Sequence, residues 1–406
     1  MSNFSIFSVL GIEIEYMLVD KDHFNVQPKS DLILKALAGH QVNEVALGDI
    51  AISNELVMHV LELKNNGPKP PQAPVVEQFQ QTIRELQPLL GQHNLKLMPT
   101  AAHPWMNPHL ETVRWPYGNN EIYQQFDRIF NCQGHGWSNL QSMHVNLPYA
   151  NNEEFCQLHS LIRLILPLLP ALAASSPFLD GKTTGRLDSR LYFYSMNQQR
   201  IPSISGELIP EFIQSEEEYQ QKILLPMYAD IRPFDPKGIL QYQWLNSRAA
   251  IPKFDQKAIE IRIIDSQECV KADIAIAKVL FTLLKNWHNT SDYYLERPCA
   301  TKPLKTLFDQ VITSGLSTEV DDKELLTQWQ LPNRKMTVLE LWWHLVEKIS
   351  TELDHQEQVT IEHILSQGNL SERILKASGA KRDLNSIKQI YKELSDCLLN
   401  NEQFTP

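Results

Sequence analysis

The sequence has few cysteines and few basic residues, and both shortages exclude classes of function. Five cysteines occur in 406 residues: Cys132, Cys156, Cys269, Cys299 and Cys397. Their number is odd, they lie far apart and none forms a C-x-x-C pair. That excludes a disulfide framework or a zinc knuckle and fits a reducing, cytoplasmic compartment. Lys and Arg number 37 against 48 Asp and Glu, a formal charge of -11. Such a chain lacks the basic face that nucleic acid requires and the polybasic anchor of a membrane-surface protein. Neither nucleic acid nor membrane is therefore expected as a partner, although net charge does not exclude a local basic pocket for phosphate. Long apolar runs are missing too. The most apolar stretch, residues 164–174, is shorter than the ~20 residues a bilayer needs and contains Pro167 and Pro170, so it reads as a buried helix. Residues 1–9 lack the basic region of a signal peptide, and Glu13 and Glu15 follow closely. There is no internal repeat and no low-complexity run. G-x-G-x-x-G, H-E-x-x-H and G-x-S-x-G are all absent, which weakens the Rossmann, zincin and α/β-hydrolase readings. Gly181-Lys182-Thr183 resembles the end of a P-loop, but Ser176 stands where the first glycine belongs, and the segment follows a helix rather than a strand.

What is present is an ordinary globular composition, 43% apolar and 21% charged, long enough for one large domain or two to three smaller ones. Residues 10–19 alternate, with Leu10, Ile12, Ile14, Tyr16 and Leu18 opposite Gly11, Glu13, Glu15 and Met17. Residues 141–147 and 258–264 alternate in the same way, and 56–63 and 95–101 are further strand candidates. Residues 65–74, with four prolines, read as a loop. Helical patterns cover 78–90, 151–174, 216–227 and 271–287. Parallel strands buried on both sides read as unbroken apolar runs, whereas these have one polar face. The expected fold is thus α+β: a mostly antiparallel sheet with helices on one face and a solvent-filled cleft on the other. After residue 297 the pattern is helical without a convincing strand. The expected division is a sheet domain, 1–296, and a helical subdomain, 297–406.

Three alternating strands place ionisable groups opposite their apolar face: Glu13 and Glu15, then His144, then Glu260 and Arg262. Residues i and i+2 share a face about 7 Å apart, at ~3.3 Å per residue. Two carboxylates that close repel unless a cation lies between them. Oxygen donors with one imidazole suit Mg²⁺ or Mn²⁺. An arginine two residues from such a glutamate can hold a phosphate oxygen bound to the same metal. Each feature alone is more often a solvated face, a hydrogen-bonded histidine or a cross-strand ion pair. Their joint occurrence points to a site for metal-bound ATP. Glu62 ends the apolar run 56–61 and needs a partner there. Glu55 has the opposite parity, so it joins Glu62 only across a bulge or if the strand starts after it. The loop 175–190, with its glycines, hydroxyls and basic residues, has the make-up of an anion-binding segment, and equally that of an ordinary surface loop.

The order of these motifs resembles the glutamate–cysteine ligase type 2 family, also described as carboxylate–amine ligases. The motifs are G-I-E-I-E-Y at 11–16, N-E-L and L-E-L at 54–63, A-x-H-P at 101–104 and M-H-V-N-L at 143–147. They continue with S-S-P-F and G-x-x-T-G-x-x-x-S-R at 175–190 and E-I-R-I-I-D at 260–265. The resemblance covers roughly residues 8–290 and the tail only loosely. It implies a glutamine synthetase-like curved antiparallel sheet whose concave face binds ATP and two or three Mg²⁺ ions. It implies one metal triad of Glu13, His144 and Glu260 and another of Glu15, Glu55 and Glu62. Arg262 then lies beside the γ-phosphate, Arg190 and Arg248 are candidates for phosphate or substrate carboxylate, and His103 falls near the site.

The implied activity is ATP-dependent amide formation through an acyl phosphate. Glutamate as acid and cysteine as amine form the family's best-known pair, with glutathione biosynthesis as the setting. A non-catalytic ATP- or metabolite-binding module of the same fold is the alternative, and a divalent-metal hydrolase a weaker one. The tail is left three roles: to cap the cleft, to make a homo-oligomer contact, or to extend the core.

Overall fold

The alternating segment near the N-terminus forms the central strand, β1 (Gly11–Asp20). The computed structural model describes residues 4–290, 293–380 and 382–406. Around β1 lie β2 (Glu44–Leu47), β3 (Ile50–Asn54), β4 (Val60–Asn65), β5 (Leu95–Met98) and β6 (Ser142–Pro148). A small hairpin, β7 (Phe178–Leu179) and β8 (Lys182–Thr183), precedes β9 (Ala250–Lys253) and β10 (Ala258–Asp265). Eight of these strands form one sheet in the order β2-β3-β4-β1-β6-β10-β9, with β5 also paired to β1. Every pairing within it is antiparallel, as the one-sided polarity of the strands predicts.

The apolar face of β1 is fully buried: Ile12, Ile14, Tyr16 and Leu18 are at most 1% exposed. They share one core with Phe79 and Ile83 of helix Val75–Gln92, Leu161 of helix Asn152–Ile165 and Ile276 and Leu280 of helix Val270–Thr290. These helices cover that face, and the acidic groups occupy the other.

Two local departures from the sequence pattern matter for the site. The strand expected at 56–63 begins only at Val60. Residues 56–58 instead pair with 113–115: the Met58 amide donates to Val113 O at 2.8 Å and the Trp115 amide to Leu56 O at 2.9 Å. In β10 the register against β6 shifts between Ile261 and Ile264. This bulge sends Ile264 to the core opposite Met143 and brings Asp265 opposite Ser142 on the acidic face.

The tail helices Thr301–Ser314, Val338–Ile349, His355–Gln367 and Leu384–Asn400 follow the expected pattern. A two-residue pair, β11 (Glu319–Val320) with β12 (Met336–Thr337), interrupts them. Leu304, Phe308, Trp329 and Trp342 belong to the same apolar core as Leu161 and Leu164, so the core crosses residue 297 without a break. Trp329 and Trp342 donate to the carbonyls of Leu164 and Leu168, where Pro167 and Pro170 interrupt the helical ladder. Among the described residues one helical stretch, Asn152–Ala173, is long and apolar enough to cross a membrane, and 89% of its apolar 18-residue segment is buried inside the protein.

Three histidines are locked into this interior. Burial lowers the pKa of His59 to about 4 and those of His103 and His159 to about 3. The unfolded chain, with a pKa near 6.5, takes up protons that the folded chain refuses. Stability from these groups is therefore complete above about pH 6.5 and falls as the pH drops towards 4, by up to about 1.4 kcal/mol per pH unit for each histidine. Urea unfolding at pH 7.5 and 5.5 should show this loss, and His159→Phe should reduce it. An identical loss in the variant would remove His159 from the account.

Candidate functional site

The register of the sheet brings the acidic side chains together. Glu13 of β1 stands directly across from His144 of β6, and Glu15 directly across from Glu62 of β4. Glu260 of β10 pairs with Asn146, the next site-facing position of β6 after His144. Directly opposed residues of an antiparallel pair have Cβ atoms ~4.5–5.5 Å apart. Glu13, His144 and Glu260 each offer a ligand atom within 4.8 Å of the others, and so do Glu15, Glu62 and His144. His144 thus belongs to both groups. The second group takes it in place of Glu55, the third member implied by the family resemblance.

Glu55 lies between β3 and β4, outside any strand, so its parity with Glu62 imposes nothing. It still reaches the cluster. Burial raises its carboxyl pKa well above the ordinary range, and the charges of Glu62, Glu15 and Glu13 raise it further. Glu62 is raised for the same reasons, burial first and Glu13 second, against Lys64.

The other end of the cluster is electrostatically different. Burial disfavours the charge on Glu13, but the hydrogen bond from His144 and the charge of Lys253 outweigh it and hold Glu13 at about 2. Glu13 Oε2 lies 3.3 Å from His144 Nδ1, and Glu13 Oε1 accepts from Asn146 Nδ2 at 3.0 Å. Glu260 Oε1 accepts from Arg262 Nε at 3.0 Å and Nη2 at 2.5 Å, and its other oxygen meets Lys253 Nζ. Its pKa falls despite burial, because Arg262, Lys253 and His144 favour the anion. Burial opposes the Arg262 charge, yet Glu260 and Tyr194 hold it firmly protonated. Ser142 donates its amide to Glu15 Oε2 at 2.7 Å, and its hydroxyl lies 2.9 Å from His144 Nε2. This fixes the imidazole between the two groups.

Glu13, Glu15, Glu62 and Glu260 therefore share this face with the permanent cations Lys64, Lys253 and Arg262, Glu55 feels the same charges, and Asp265 is neutralised separately by Arg190. The deficit is greatest around Glu55 and Glu62, where burial and the neighbouring acids outweigh Lys64, His144 and the Ser53 hydroxyl. Carboxylate oxygens with one imidazole, short of positive charge, are the donor set of a hard divalent cation. The residues present thus fit Mg²⁺ or Mn²⁺.

The two lysines are site residues missed by the motif reading. Lys64 lies two residues after Glu62, the same spacing that singles out Glu15 and Arg262, and is legible on that ground. Lys253 ends a four-residue strand containing a proline, and nothing in that pattern marks it.

Three expected site residues lie elsewhere or behind the face. Arg248 is not at the acidic face. Its Nε and Nη2 bind the two oxygens of Glu211 at 2.7 Å each, and Nη1 bonds Ser203 O and Asn246 Oδ1, so it pins the 203–211 loop. His103 is fully buried, with Nε2 on Phe24 O at 2.7 Å and Nδ1 accepting the Trp105 and Met106 amides. Both nitrogens serve the backbone, so it has no atom left for a ligand. Arg190, 2% exposed, binds Asp265 Oδ1 at 2.5 Å, and Glu15 contributes to holding its charge. It lies close behind the acidic face.

The loop 175–190 likewise receives an internal anion. The Ser175 amide and Ser176 hydroxyl both donate to Asp265 Oδ2, at 2.9 and 3.3 Å. The P-loop-like Gly181 is the second turn residue of the β7–β8 hairpin, where Asp180 and Gly181 have φ of 52° and 71°.

Comparison with known proteins agrees with this architecture. A protein of Archaeoglobus fulgidus, described only as uncharacterized, is 33% identical over 402 residues, covering 98% of this chain and 100% of its own. The solved structure of a glutamate–cysteine ligase from Francisella tularensis, in complex with AMP, superposes with a TM-score of 0.61 at 12% identity. That superposition covers 98% of this chain and 90% of the other, and it shows a shared fold. The family described as glutamate–cysteine ligase family 2 matches residues 9–393, well past the last of the motifs at 260–265 and into the tail helices. With acidic side chains from β1, β4 and β10 meeting His144 of β6 on one face, and with that match over nearly the whole length, the chain belongs to glutamate–cysteine ligase family 2.

Proposed function

We propose that the protein is an ATP-dependent carboxylate–amine ligase of the glutamate–cysteine type, acting in the cytoplasm. The observation that carries this reading is the pair of donor groups sharing His144, with Arg262 fixed beside one of them. Glu13, His144 and Glu260 would hold one divalent ion, and Glu15, Glu62 and the shared His144 another, with Glu55 added to the second as the family resemblance implies. When bound, Mg²⁺ supplies charge neutralisation for the phosphate oxygens. Arg262, held by Glu260, meets the charge that develops on the γ-phosphoryl group. The substrate carboxylate attacks the γ-phosphorus, ADP leaves, and an acyl phosphate forms. The amine nitrogen then attacks that carbonyl carbon, phosphate departs, and the nitrogen loses a proton as the amide forms. Lys253 and Arg262 keep Glu260 ionised throughout.

The test is a screen of amino-acid pairs for phosphate release with ATP and Mg²⁺, with mass spectrometry of the product. A glutamyl–cysteine product supports the full reading. Another amide keeps the ligase and discards the glutamate–cysteine pair. ATP binding without turnover on any pair would replace it with a non-catalytic module. The charge deficit also predicts a thermal shift. Mg²⁺ or Mn²⁺ at 100 times its dissociation constant should stabilise the protein by about 2.7 kcal/mol. Glu62→Gln should reduce that gain, and EDTA should abolish it. A melting temperature indifferent to divalent ions would argue against the metal assignment.

A further inference from the structure

The register of β10 against β6 shifts between Ile261 and Ile264, so Arg262 lies inside the irregular stretch and has no register partner on β6. A residue in a bulge keeps its aim only if something outside the ladder holds it. Two residues of helix Ser189–Tyr194 do so. They are Arg190 and Tyr194, four apart and therefore on the same side of the helix. Arg190 Nε binds Oδ1 of Asp265, just past the bulge, at 2.5 Å, and its Nη1 lies 3.5 Å from the Arg262 carbonyl oxygen. Ser176 Oγ accepts the Arg190 amide at 3.0 Å and donates to Asp265 Oδ2 at 3.3 Å, and the Ser175 amide donates to that same oxygen at 2.9 Å. Both partners of this ion pair are buried, so solvent does not loosen it. Tyr194 brings a buried phenol oxygen up to the Arg262 guanidinium and favours its charge. The helix is in turn fastened to the tail. The Asp188 amide donates to Ile312 O at 3.0 Å, and the Ser371 hydroxyl donates to Leu187 O at 2.5 Å.

We infer that helix Ser189–Tyr194 positions the arginine of phosphoryl transfer: Arg190, through Asp265, fixes the backbone of Arg262, and Tyr194 fixes its guanidinium. The inference rests on the ligase reading above. Arg190 and Tyr194 are positioning residues, and neither is required to touch substrate. A displacement of about 1 Å at a group that meets a transition state can cost ~100-fold in rate. Arg262 meets charge that develops only during transfer, so the loss should fall on kcat and leave KM for ATP nearly unchanged.

Phosphate release with ATP, Mg²⁺ and the amino-acid pair identified by the screen above tests this, with glutamate and cysteine tried first. Arg190→Met combined with Asp265→Asn removes both charges together, strands neither, and leaves an acceptor for the Ser175 amide. Its urea midpoint should stay near wild type, while kcat falls about tenfold or more and KM for ATP changes by less than about threefold. Tyr194→Phe removes a single oxygen and should lower kcat about threefold or more. In an Arg262→Ala background each change should alter kcat by less than about twofold, because residues that act through Arg262 have nothing left to position. The same losses in that background would put Arg190, Asp265 or Tyr194 on the substrate itself and overturn the inference. Wild-type kcat in both variants would overturn it as well. Should the paired variant fail to fold, Tyr194→Phe with and without Arg262→Ala decides alone. If Arg262→Ala keeps its kcat, or no pair of amino acids gives ATP-dependent phosphate release, the ligase reading fails, and this inference with it.

Discussion

Arg262→Ala is expected to lower kcat for ATP-dependent phosphate release by about 10³-fold or more, the scale of losing an arginine that neutralises a transferring phosphoryl group. That is about 4 kcal/mol of transition-state stabilisation. The side chain is placed by the β10 bulge and held by Glu260 through Nε and Nη2. Its planar fork is committed to one carboxylate, so lysine should not restore the rate. The variant also separates two roles. Arg262 is outside both donor groups, so Arg262→Ala should retain the thermal shift with Mg²⁺. Glu260→Gln removes a donor and should lose both the shift and the turnover. Near-wild-type kcat in Arg262→Ala would sink the phosphoryl-transfer role, and equal thermal shifts in the two variants would sink the donor assignment.

The parts of this site that were legible in the sequence are those carried by period-two alternation. Glu13, Glu15, His144, Glu260 and Arg262 lie on half-buried strands, where one apolar face declares the other. β3 is buried at all five positions, so no alternation marks it, and β2 and β9 are four residues each. Lys253 goes unseen for that reason. Asp265 shows the limit from another side. Parity assigns it to the core face with Ile261 and Ile263, and only the bulge carries it round to Ser142. Arg248 and His103 fail differently. His103 lies in the A-x-H-P motif and Arg248 in none, but both side chains are consumed, by backbone groups and by Glu211, and tertiary pairing of that kind leaves no local trace in the sequence.

Arg373→Met should destabilise the protein by about 3–5 kcal/mol, the usual cost of stripping one partner from a buried ion pair. Arg373 and Glu268 are both 0% exposed, with Nη1 at 2.5 Å from Glu268 Oε1. The same Nη1 binds Phe404 O at 2.6 Å, and the Phe404 amide donates to Glu268 Oε1 at 3.1 Å. One arginine thus ties the turn between β10 and helix Val270–Thr290 to helix Leu370–Ala377 and to the C-terminal residues. Methionine fills much of the space and leaves Glu268 charged, buried and without its cation. The double variant Arg373→Met, Glu268→Leu removes the stranded charge and should recover most of the loss, because an apolar pair in a dry site is often no worse than the ion pair. Urea midpoints for the wild type, both single variants and the double variant give the coupling directly. The consequence reaches the site through a short path. Ser266, two residues before Glu268, donates its hydroxyl to Glu15 O at 3.2 Å, and Asp265 before it anchors Arg190. Arg373→Met should therefore weaken Mg²⁺ binding as well as lower the urea midpoint, and the double variant should restore both. A single variant within about 1 kcal/mol of wild type would show that water reaches Glu268 and that the tail is held by its apolar contacts alone.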